Sequence, residues 1–384
     1  MNPESSFAAA LASLPLLGPN RLLKLLSSHI PSEAWAVLRG EHRAHPSVEA
    51  LFSPEFLGHK LRERATDAHL QVTREKCLRL GISTTFIGDA QYPAILAVDI
   101  APPPVLFWRG DLGALTQRRV GIIGTRAATA AGRYMSSQLA HDLTKHGIAV
   151  VSGLARGIDA WAHRGAINAA LDAASTSATR SINYGRPIAV VASGLDVIYP
   201  RENAKLWAEV QTNGVVLSES PPGTPPEAFR FPLRNRILAA LCEVLVVVES
   251  RAAGGSMITV EEAQKRDVMV LAVPGSPRNS SSVGTNLLLQ QGCAPVVDAD
   301  DVLVALGLDH RRCFPNTFDS RRRPGENDQG VLDAFSNCAI TLDQLMVRTR
   351  GDLVTTAVAL GRLEADGWVV NNAGWWEAVG VNRG

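Results

Sequence analysis

Residues 119–126 read RVGIIGTR, a short apolar run that ends in a glycine, a hydroxyl residue and an arginine. Further runs of the same kind follow along the chain, each continuously apolar over about one strand length. Such runs are typical of strands that are covered on both faces of a sheet. The predicted strands are 119–123, 149–152, 188–192, 215–218, 244–249 and 268–273.

Amphipathic stretches separate these runs and predict helices over 131–146, 158–170, 203–213, 234–241, 257–266 and 284–291. Strict alternation of strand and helix predicts an α/β fold with a doubly wound parallel sheet. In such a sheet, ligands bind outside the carboxyl ends of the strands. The residues that follow each predicted strand are therefore the candidates for a binding site.

These strand-end loops are small, flexible or cationic. Gly124, Thr125 and Arg126 follow the first strand, Arg156 lies in the second loop, and residues 253–256 (AGGS) follow the fifth strand. Arginines and exposed backbone N–H groups bind anions, and the N–H groups of helix 131–146 should point into the space beside Arg126. The loops predict a phosphate-bearing ligand. An Ala/Ser/Thr-rich insertion at 168–186 should lie at the opposite edge of the sheet, remote from the site.

The sequence lacks both GxGxxG after the first strand and GxxxxGK[ST] anywhere, so dinucleotide and P-loop sites are disfavoured. Residues 229–236 (FRFPLRNR) instead combine three arginines with two phenylalanines, with no acid between Glu227 and Glu243. Arginine for phosphate and an aromatic face for a base are the elements of sequence-tolerant single-strand binding. The alternative is that Phe231 belongs to the core and that the arginines form surface ion pairs.

Catalytic and metal-binding residues are not indicated. Asp159 and His163 lie four apart on a predicted helix, where we interpret Asp159 as a helix-start carboxylate and His163 as a packed or singly hydrogen-bonded side chain. No serine has a paired histidine and acid at suggestive positions, so nucleophilic catalysis has no support. The five cysteines form no CxxC and no Cys/His cluster, which predicts reduced thiols in a cytoplasmic protein without metal or cofactor.

The rest of the chain predicts flanking units. Residues 1–75 have leucines near helical spacing and indicate a helical domain, and residues 76–310 hold the sheet domain. Residues 311–327 are polar, arginine-rich and broken by prolines, which predicts a linker. Net charge is +1, so any basic site must be local, and neither a membrane span nor a signal peptide is expected.

Residues 328–384 predict a winged helix-turn-helix: helices 329–335, 341–347 and 352–366, then a hairpin of 368–371 and 375–379. Thr341 and Asp352 are suitable helix caps. Trp375 and Trp376 are adjacent in a strand, so one should face the core and the other should be exposed. Acidic residues offset the few arginines here, so a protein-docking or scaffold role is at least as consistent with this unit as duplex reading.

The central region resembles the DprA (Smf) family of DNA-processing proteins. The matching stretches are VGIIGTR (120–126), VSGLARGID (151–159), ASGLDVIYP (192–200), LSESPP (217–222), FPLRNR (231–236), VVESRAAGGSMIT (247–259) and GTNLLLQQG (284–292). The resemblance implies an extended Rossmann-like sheet domain, a small N-terminal domain similar to a sterile alpha motif (SAM-like), and a variable C-terminal winged helix.

The resemblance also implies a function: binding and protecting incoming single-stranded DNA during natural transformation, and loading the RecA recombinase onto it, as a homodimer. The family's strand-binding pocket is matched by the turn at 124–126, with Thr125 where serine is commoner. Together with the strand-end loops, it predicts these DNA contacts: Gly124, Thr125, Arg126, Gly153, Arg156, Phe231, Arg234, Asn235, Arg236, Gly255 and Ser256.

Two other functions remain open. A nucleotide phosphoribohydrolase on a related fold carries PGGxGTxxE, whereas here Pro274-Gly275 and Gly284-Thr285 are separated and Leu288 stands where the catalytic glutamate would be. The missing carboxylate favours a binding protein over this enzyme. A regulator that binds duplex DNA through the winged helix would instead require tight, sequence-dependent duplex binding.

Overall fold

The computed structural model describes residues 2–49, 55–175, 184–308, 324–335, 340–366, 368–372 and 374–378. It divides into two compact units, Met1–His310 and Arg311–Gly384. Residues 309–323, which include most of the predicted linker 311–327, lie outside the described residues, as do residues 176–183 of the predicted insertion.

The first unit contains a mixed set of helices and strands. Its helices are α1 (Pro3–Ser13), α2 (Pro19–Leu26), α3 (Pro31–Arg39), α4 (Pro46–Glu49), α5 (Glu55–Arg64), α6 (Asp67–Arg79), α7 (Ala94–Ala97), α8 (Ala130–Lys145), α9 (Ile158–Ser175), α10 (Ala204–Asn213), α11 (Arg230–Leu241), α12 (Gly255–Gln264), α13 (Val283–Gln290) and α14 (Ala299–Ala305). Its strands are β1 (Ser83–Phe86), β2 (Val105–Gly110), β3 (Arg119–Gly124), β4 (Ala149–Ser152), β5 (Ile188–Val190), β6 (Val215–Ser218), β7 (Val244–Glu249), β8 (Met269–Ala272) and β9 (Ala294–Pro295).

Across the described residues the strands of this unit form one sheet in the order β1-β2-β6-β5-β4-β3-β7-β8-β9. The strands from β6 to β9 pair in parallel, which confirms the predicted doubly wound parallel sheet. From β3 the chain winds outward through β4, β5 and β6, and then returns to place β7 on the other side of β3. The order therefore reverses between β3 and β7, and ligands of doubly wound sheets bind at such a switch point.

Two strands at one edge were not predicted. Strands β1 and β2 are antiparallel to each other, and β2 is antiparallel to β6. They are short and lie in the mixed region 76–117, where proline-rich connections obscure the alternation. The sheet is thus mostly parallel with an antiparallel edge, a common arrangement in α/β proteins.

Packing explains why the central runs are continuously apolar. Strands β4, β6 and β7 are buried at every position, since helices cover both faces of the sheet. On one face the core continues into the N-terminal helices, where Leu11, Leu25 and Trp35 join a cluster with Phe107 and Trp207. The segment 1–75 and the sheet thus share a core within one compact unit, and a boundary near residue 75 stays a prediction.

The bounds of the predicted helices differ most from the structure at the start of α11 and at the end of α9. Helix α11 begins at Arg230 rather than at 234, because Pro232 is tolerated in the first turn of a helix. Helix α9 runs on to Ser175 rather than ending at 170, since the alanine-rich start of the insertion favours helix. The earlier start of α11 affects the candidate site, because it makes most of the stretch FRFPLRNR helical.

In the second unit α15 (Glu326–Asp333), α16 (Leu342–Thr349) and α17 (Leu353–Ala365) accompany a small sheet of β10 (Ile340–Thr341), β11 (Val369–Asn372) and β12 (Trp375–Ala378). The described strands pair antiparallel in the order β10-β12-β11. Both predicted caps are confirmed: Thr341 accepts from the Gln344 N–H, and Asp352 accepts from the Thr355 N–H. This is the order of elements that the predicted winged helix requires.

The adjacent tryptophans of β12 differ in exposure, as predicted. Trp375 is 48% exposed, and Trp376 packs against the core of the second unit. Over the described residues, no helix is long and apolar enough to cross a bilayer.

Candidate functional site

A cavity of about 670 Å³ lies over the carboxyl ends of β3 and β7, at the point where the strand order reverses. We call it the strand-end cavity. Of the predicted contact residues, those that line it are Gly124, Thr125, Arg126, Phe231, Arg234, Asn235, Gly255 and Ser256. They come from three chain segments far apart in sequence, and the sheet brings them together because parallel strands end at one edge. Gly153, Arg156 and Arg236 do not line the cavity.

An arginine and two aromatic rings form the centre of this cavity. The Arg126 guanidinium lies over the Phe231 ring, 4.7 Å from its centroid, and the Tyr199 ring lies 5.7 Å from Phe231 at a tilt of 59°. Arg126 is exposed, and Phe231 is only partly buried and belongs to none of the core clusters. The cluster presents a cation and an aromatic face to the same space, which suits a phosphate next to a base.

The turn that carries Arg126 is held by its neighbours. The Thr125 N–H donates to the Glu249 carbonyl at 2.7 Å, and the Ile158 N–H donates to the Thr125 carbonyl at 3.2 Å. Gly157 lies beneath the turn with φ of +76°, and a Cβ there would collide with the Thr125 carbonyl. The loop after β4 therefore fixes the conformation of the loop after β3, and Gly157 belongs to the support of the site.

A carboxylate already lies at the N-terminus of helix α8, whose N–H groups are predicted to point beside Arg126. The Glu249 carboxylate lies at that helix terminus, where it accepts from the Thr129 N–H at 2.9 Å and from the Thr129 hydroxyl. A Cβ on Gly132 would touch this carboxylate, and Glu249 is only 6% exposed. A fixed negative charge thus takes the place that a nucleotide phosphate occupies in dinucleotide-binding sheets.

Arg234 borders the cavity but is engaged with the protein. It is 8% exposed and donates to the carbonyl of Gly153 at 3.0 Å, to the carbonyl of Val190, and to the Asn235 side chain at 3.2 Å. Burial lowers the pKa of Arg234 to about 10, against the effect of nearby Asp159. Its contacts tie the loop after β4 to strand β5, which is a positioning role.

Two other predicted cations also have protein partners. Arg156 forms an exposed two-hydrogen-bond ion pair with Glu202, one bond being 2.7 Å long. Arg236 pairs with Glu219 at 2.5 Å and donates to the Ala101 carbonyl. These contacts agree with the alternative that the arginines are ion-paired with protein side chains. Among the predicted arginines, Arg126 is the one that is both exposed and part of the cavity lining.

Sequence reasoning missed Tyr199 and Arg251, which also line the cavity. Arg251 is exposed and comes two residues after β7, so the same strand-end rule could have found it. Tyr199 lies seven residues beyond the predicted end of its strand at 192, and only the fold of that loop places its ring beside Phe231. Among the described residues, no group of three or more His, Cys, Asp or Glu is arranged to hold a metal ion.

Two buried polar side chains of helix α9 lie at or near the cavity, and Asp159 is among its lining residues. Asp159, in the first turn of α9, accepts from the Gly153 N–H at 3.2 Å and is 6% exposed, as expected of a helix-start carboxylate. Burial raises the pKa of Asp159, an effect that Arg234 opposes. His163, one turn further along, is fully buried, and burial lowers its pKa to about 4.

His163 should make the stability of the fold depend on pH. Its pKa falls from 6.5 in the unfolded chain to about 4 in the folded protein, so between these values the unfolded state binds more protons. Stability is then complete above pH 6.5 and falls towards pH 4, by about 3 kcal/mol at 1.36 kcal/mol per pH unit. Urea unfolding of the wild type and His163→Gln across this range checks it. A variant with the same slope as the wild type would assign the pH dependence to other groups.

Comparison with known proteins identifies a family profile that the chain matches and relatives to which it is similar. Residues 83–307 match the sequence profile of the family described as DNA recombination-mediator protein A. The chain is similar to DNA processing protein DprA of Bacillus subtilis, with 38% identity over 59% of this chain and 72% of the relative. It is also similar to protein Smf of Synechocystis, with 32% identity over 86% of this chain and 79% of the relative.

Two solved structures resemble the fold at 30% sequence identity. DNA processing protein A from Streptococcus pneumoniae matches with a TM-score of 0.64, covering 79% of this chain and 98% of that one. DNA processing protein A from Helicobacter pylori matches with a TM-score of 0.50, covering 59% of this chain and 96% of that one, and is described for its single-stranded DNA binding mode.

Proposed function

Since the chain belongs to the DNA recombination-mediator protein A family, we propose that it binds single-stranded DNA in the strand-end cavity. We propose further that it protects incoming DNA and loads RecA onto it during natural transformation, as a homodimer in the cytoplasm. The observation that carries the binding proposal is the contact between Arg126 and Phe231, 4.7 Å from guanidinium to ring centroid, at the switch point of the sheet.

The proposed roles of the residues follow from their exposure. Arg126 and Arg251 hold phosphate, Phe231 and Tyr199 stack bases, and Gly255, where a Cβ would meet open space, allows the backbone to approach the strand. Gly124 lets the turn pack closely against Ile158 and the Glu249 carbonyl, and Ser256 is bonded to Ser250. Arg234, Asn235 and Gly153 act from below by holding the loops in place. Arg156 and Arg236 contribute to the surrounding scaffold through their ion pairs.

Two observations favour this proposal over a nucleotide hydrolase. Glu249 puts a negative charge where a free nucleotide would place its phosphate. Leu288, at the position that would need a catalytic glutamate, is 1% exposed within the core. A single strand does not need the helix terminus, because exposed arginines at the rim can hold its phosphates.

The structure of the second unit gives little support to sequence-specific binding of duplex DNA. On α17 the side chains of Leu353, Val354 and Val358 are half or more exposed, an apolar surface rather than a set of donors for base edges. Arg362 of this helix pairs with Asp328 at 2.7 Å. We therefore propose a protein-docking or scaffold role for this unit, with the DNA site on the first unit.

Single strands should bind more tightly than duplex of the same length, with weak sequence preference. Affinity should fall as salt rises, because each phosphate contact releases counterions and adds about 0.7 to the slope of log affinity against log salt. Fluorescence anisotropy with labelled oligonucleotides at several salt concentrations measures both. Equal affinity for duplex, or affinity independent of salt, would contradict the proposal.

A further inference from the structure

A second cavity, of about 390 Å³, lies beside the strand-end cavity. We call it the flanking cavity. Its walls come from the connection between α1 and α2 and from the first turns of α11, and it shares Arg234 with the strand-end cavity. Its size is within the range of small-molecule sites, which are mostly apolar with a few placed polar groups.

Helix α11 separates the two cavities. Phe231 and Asn235 line the strand-end cavity, whereas Phe229, Arg230 and Leu233 line the flanking cavity. Residues three or four apart on a helix share a face, so the two sets lie on neighbouring faces of one turn. A chain molecule that crosses the start of α11 would reach both cavities.

The rim of the flanking cavity repeats the chemistry of the strand-end cavity. Phe229 is 57% exposed, and the Arg230 guanidinium lies 4.9 Å from its ring centroid. Leu233 and Leu16 beside it are 47% and 50% exposed. Glu227 pairs with Arg230 at 2.9 Å and holds it at the rim. A large exposed apolar surface next to a cation marks a binding site rather than ordinary surface.

The interior of the cavity differs from its rim. Leu17, Val105, Val191 and Ile237 make it apolar, and the Glu219 carboxylate, paired with Arg236, lies among them. The other oxygen of this ion-paired carboxylate can accept a hydrogen bond from the N–H groups of a base. The arrangement therefore suits a nucleotide whose base points inward and whose phosphate remains at the rim beside Arg230.

We propose that the flanking cavity binds a second nucleobase of the same single strand, with Phe229 as its stacking surface and Arg230 at the adjoining phosphate. The strand then crosses the first turn of α11 between two aromatic-and-arginine sites. This inference rests on the proposed function, because its ligand is the continuation of the strand that the first cavity holds. The occupant is nucleic acid rather than peptide because the pairing of an aromatic ring with an arginine recurs here, and because this cavity shares Arg234 with the strand-end cavity.

The test uses the full chain and oligodeoxythymidylates that carry one 2-aminopurine at successive positions, whose fluorescence drops when the base stacks on an aromatic ring. The wild type should show two separated positions of quenching. Phe229→Ala should abolish one of them and Phe231→Ala the other, while Phe229→Trp should retain both. Phe229 is exposed, so its removal should leave the melting temperature nearly unchanged.

Affinity gives an independent measure. Phe229→Ala should weaken binding at least about fivefold for oligonucleotides of about 16 nucleotides, and leave the binding of strands too short to cross α11 unchanged. Leu233→Glu should act in the same way by placing a negative charge at the rim. Leu171→Ala, which removes a side chain that is 59% exposed on α9, is the matched control and should bind as the wild type does.

The outcomes separate the two proposals. If the wild type binds single strands but Phe229→Ala changes neither the quenching nor the affinity at any length, the flanking site is wrong and the proposed function stands. If Phe231→Ala and Arg126→Ala also bind normally, the strand-end cavity itself is not the DNA site. A wild type without affinity for single strands would overturn both.

Discussion

Replacing Arg126 by alanine should weaken single-strand binding by about 10- to 100-fold, the value of one charge-assisted contact. Arg126 is exposed at the switch point and lies over Phe231, so one side chain can grip a phosphate while its neighbour stacks a base. Arg126→Lys should restore only part of the affinity, because an ammonium group cannot form the two parallel hydrogen bonds of a guanidinium. Titration of an oligonucleotide by anisotropy measures all three proteins.

The salt dependence distinguishes a phosphate contact from a loss of folding. Arg126→Ala should reduce the slope of log affinity against log salt by about 0.7, one phosphate contact on a single strand. Arg43→Ala is the matched control, since it removes the same charge from a side chain that is 91% exposed in the helical segment. Unchanged affinity in Arg126→Ala, or an equal loss in Arg43→Ala, would remove this turn from the binding site.

Replacing Arg234 by alanine should instead lower the free energy of unfolding, by about 3–5 kcal/mol, the cost of breaking a buried charged network. The carbonyls of Gly153 and Val190 would lose their donor, and Asp159 would remain buried without the nearby positive charge. Arg234→Lys should also be destabilised, because a single ammonium group cannot donate to all of these acceptors as the planar guanidinium fork does. Urea unfolding measures the effect.

Lys205→Ala is the control, because that ammonium side chain is 91% exposed and should change stability by less than about 0.5 kcal/mol. In Arg234→Ala, the affinity of the molecules that remain folded should fall less than in Arg126→Ala. A variant with normal stability and strongly reduced affinity would show that Arg234 contacts the strand directly, against the positioning role.

The sheet could be predicted because its signal is local. Runs such as 120–123 and 244–248 contain only apolar residues and glycine, since both faces of each strand are covered. The position of the site followed from the fold, because parallel strands end at one edge and the loop residues after them must meet there. The arginine turn at 124–126 and the stretch 229–236 were found by this rule and by their resemblance to a known family.

Which of those residues face the ligand could not be read from the sequence. Arg126, Arg156, Arg234 and Arg236 are equivalent there, and only packing shows that three of them have protein partners. Tyr199 was missed, and Phe229 was noted but not predicted as a contact, for the same reason. The contribution of an aromatic ring depends on its exposure and on which rings and cations lie beside it.

The sequence by itself determined the class of fold, the edge of the sheet that carries the site and the family, because apolar periodicity and strand-end loops are properties of short segments. Only the tertiary structure shows which side chain lies at the N-terminus of α8. Glu249 ends β7 and reaches Thr129, 120 residues away in the chain. A helix N-terminus attracts any anion, and the side chain that the fold holds there excludes a phosphate. That contact depends on the pairing of β3 with β7, which no local pattern encodes.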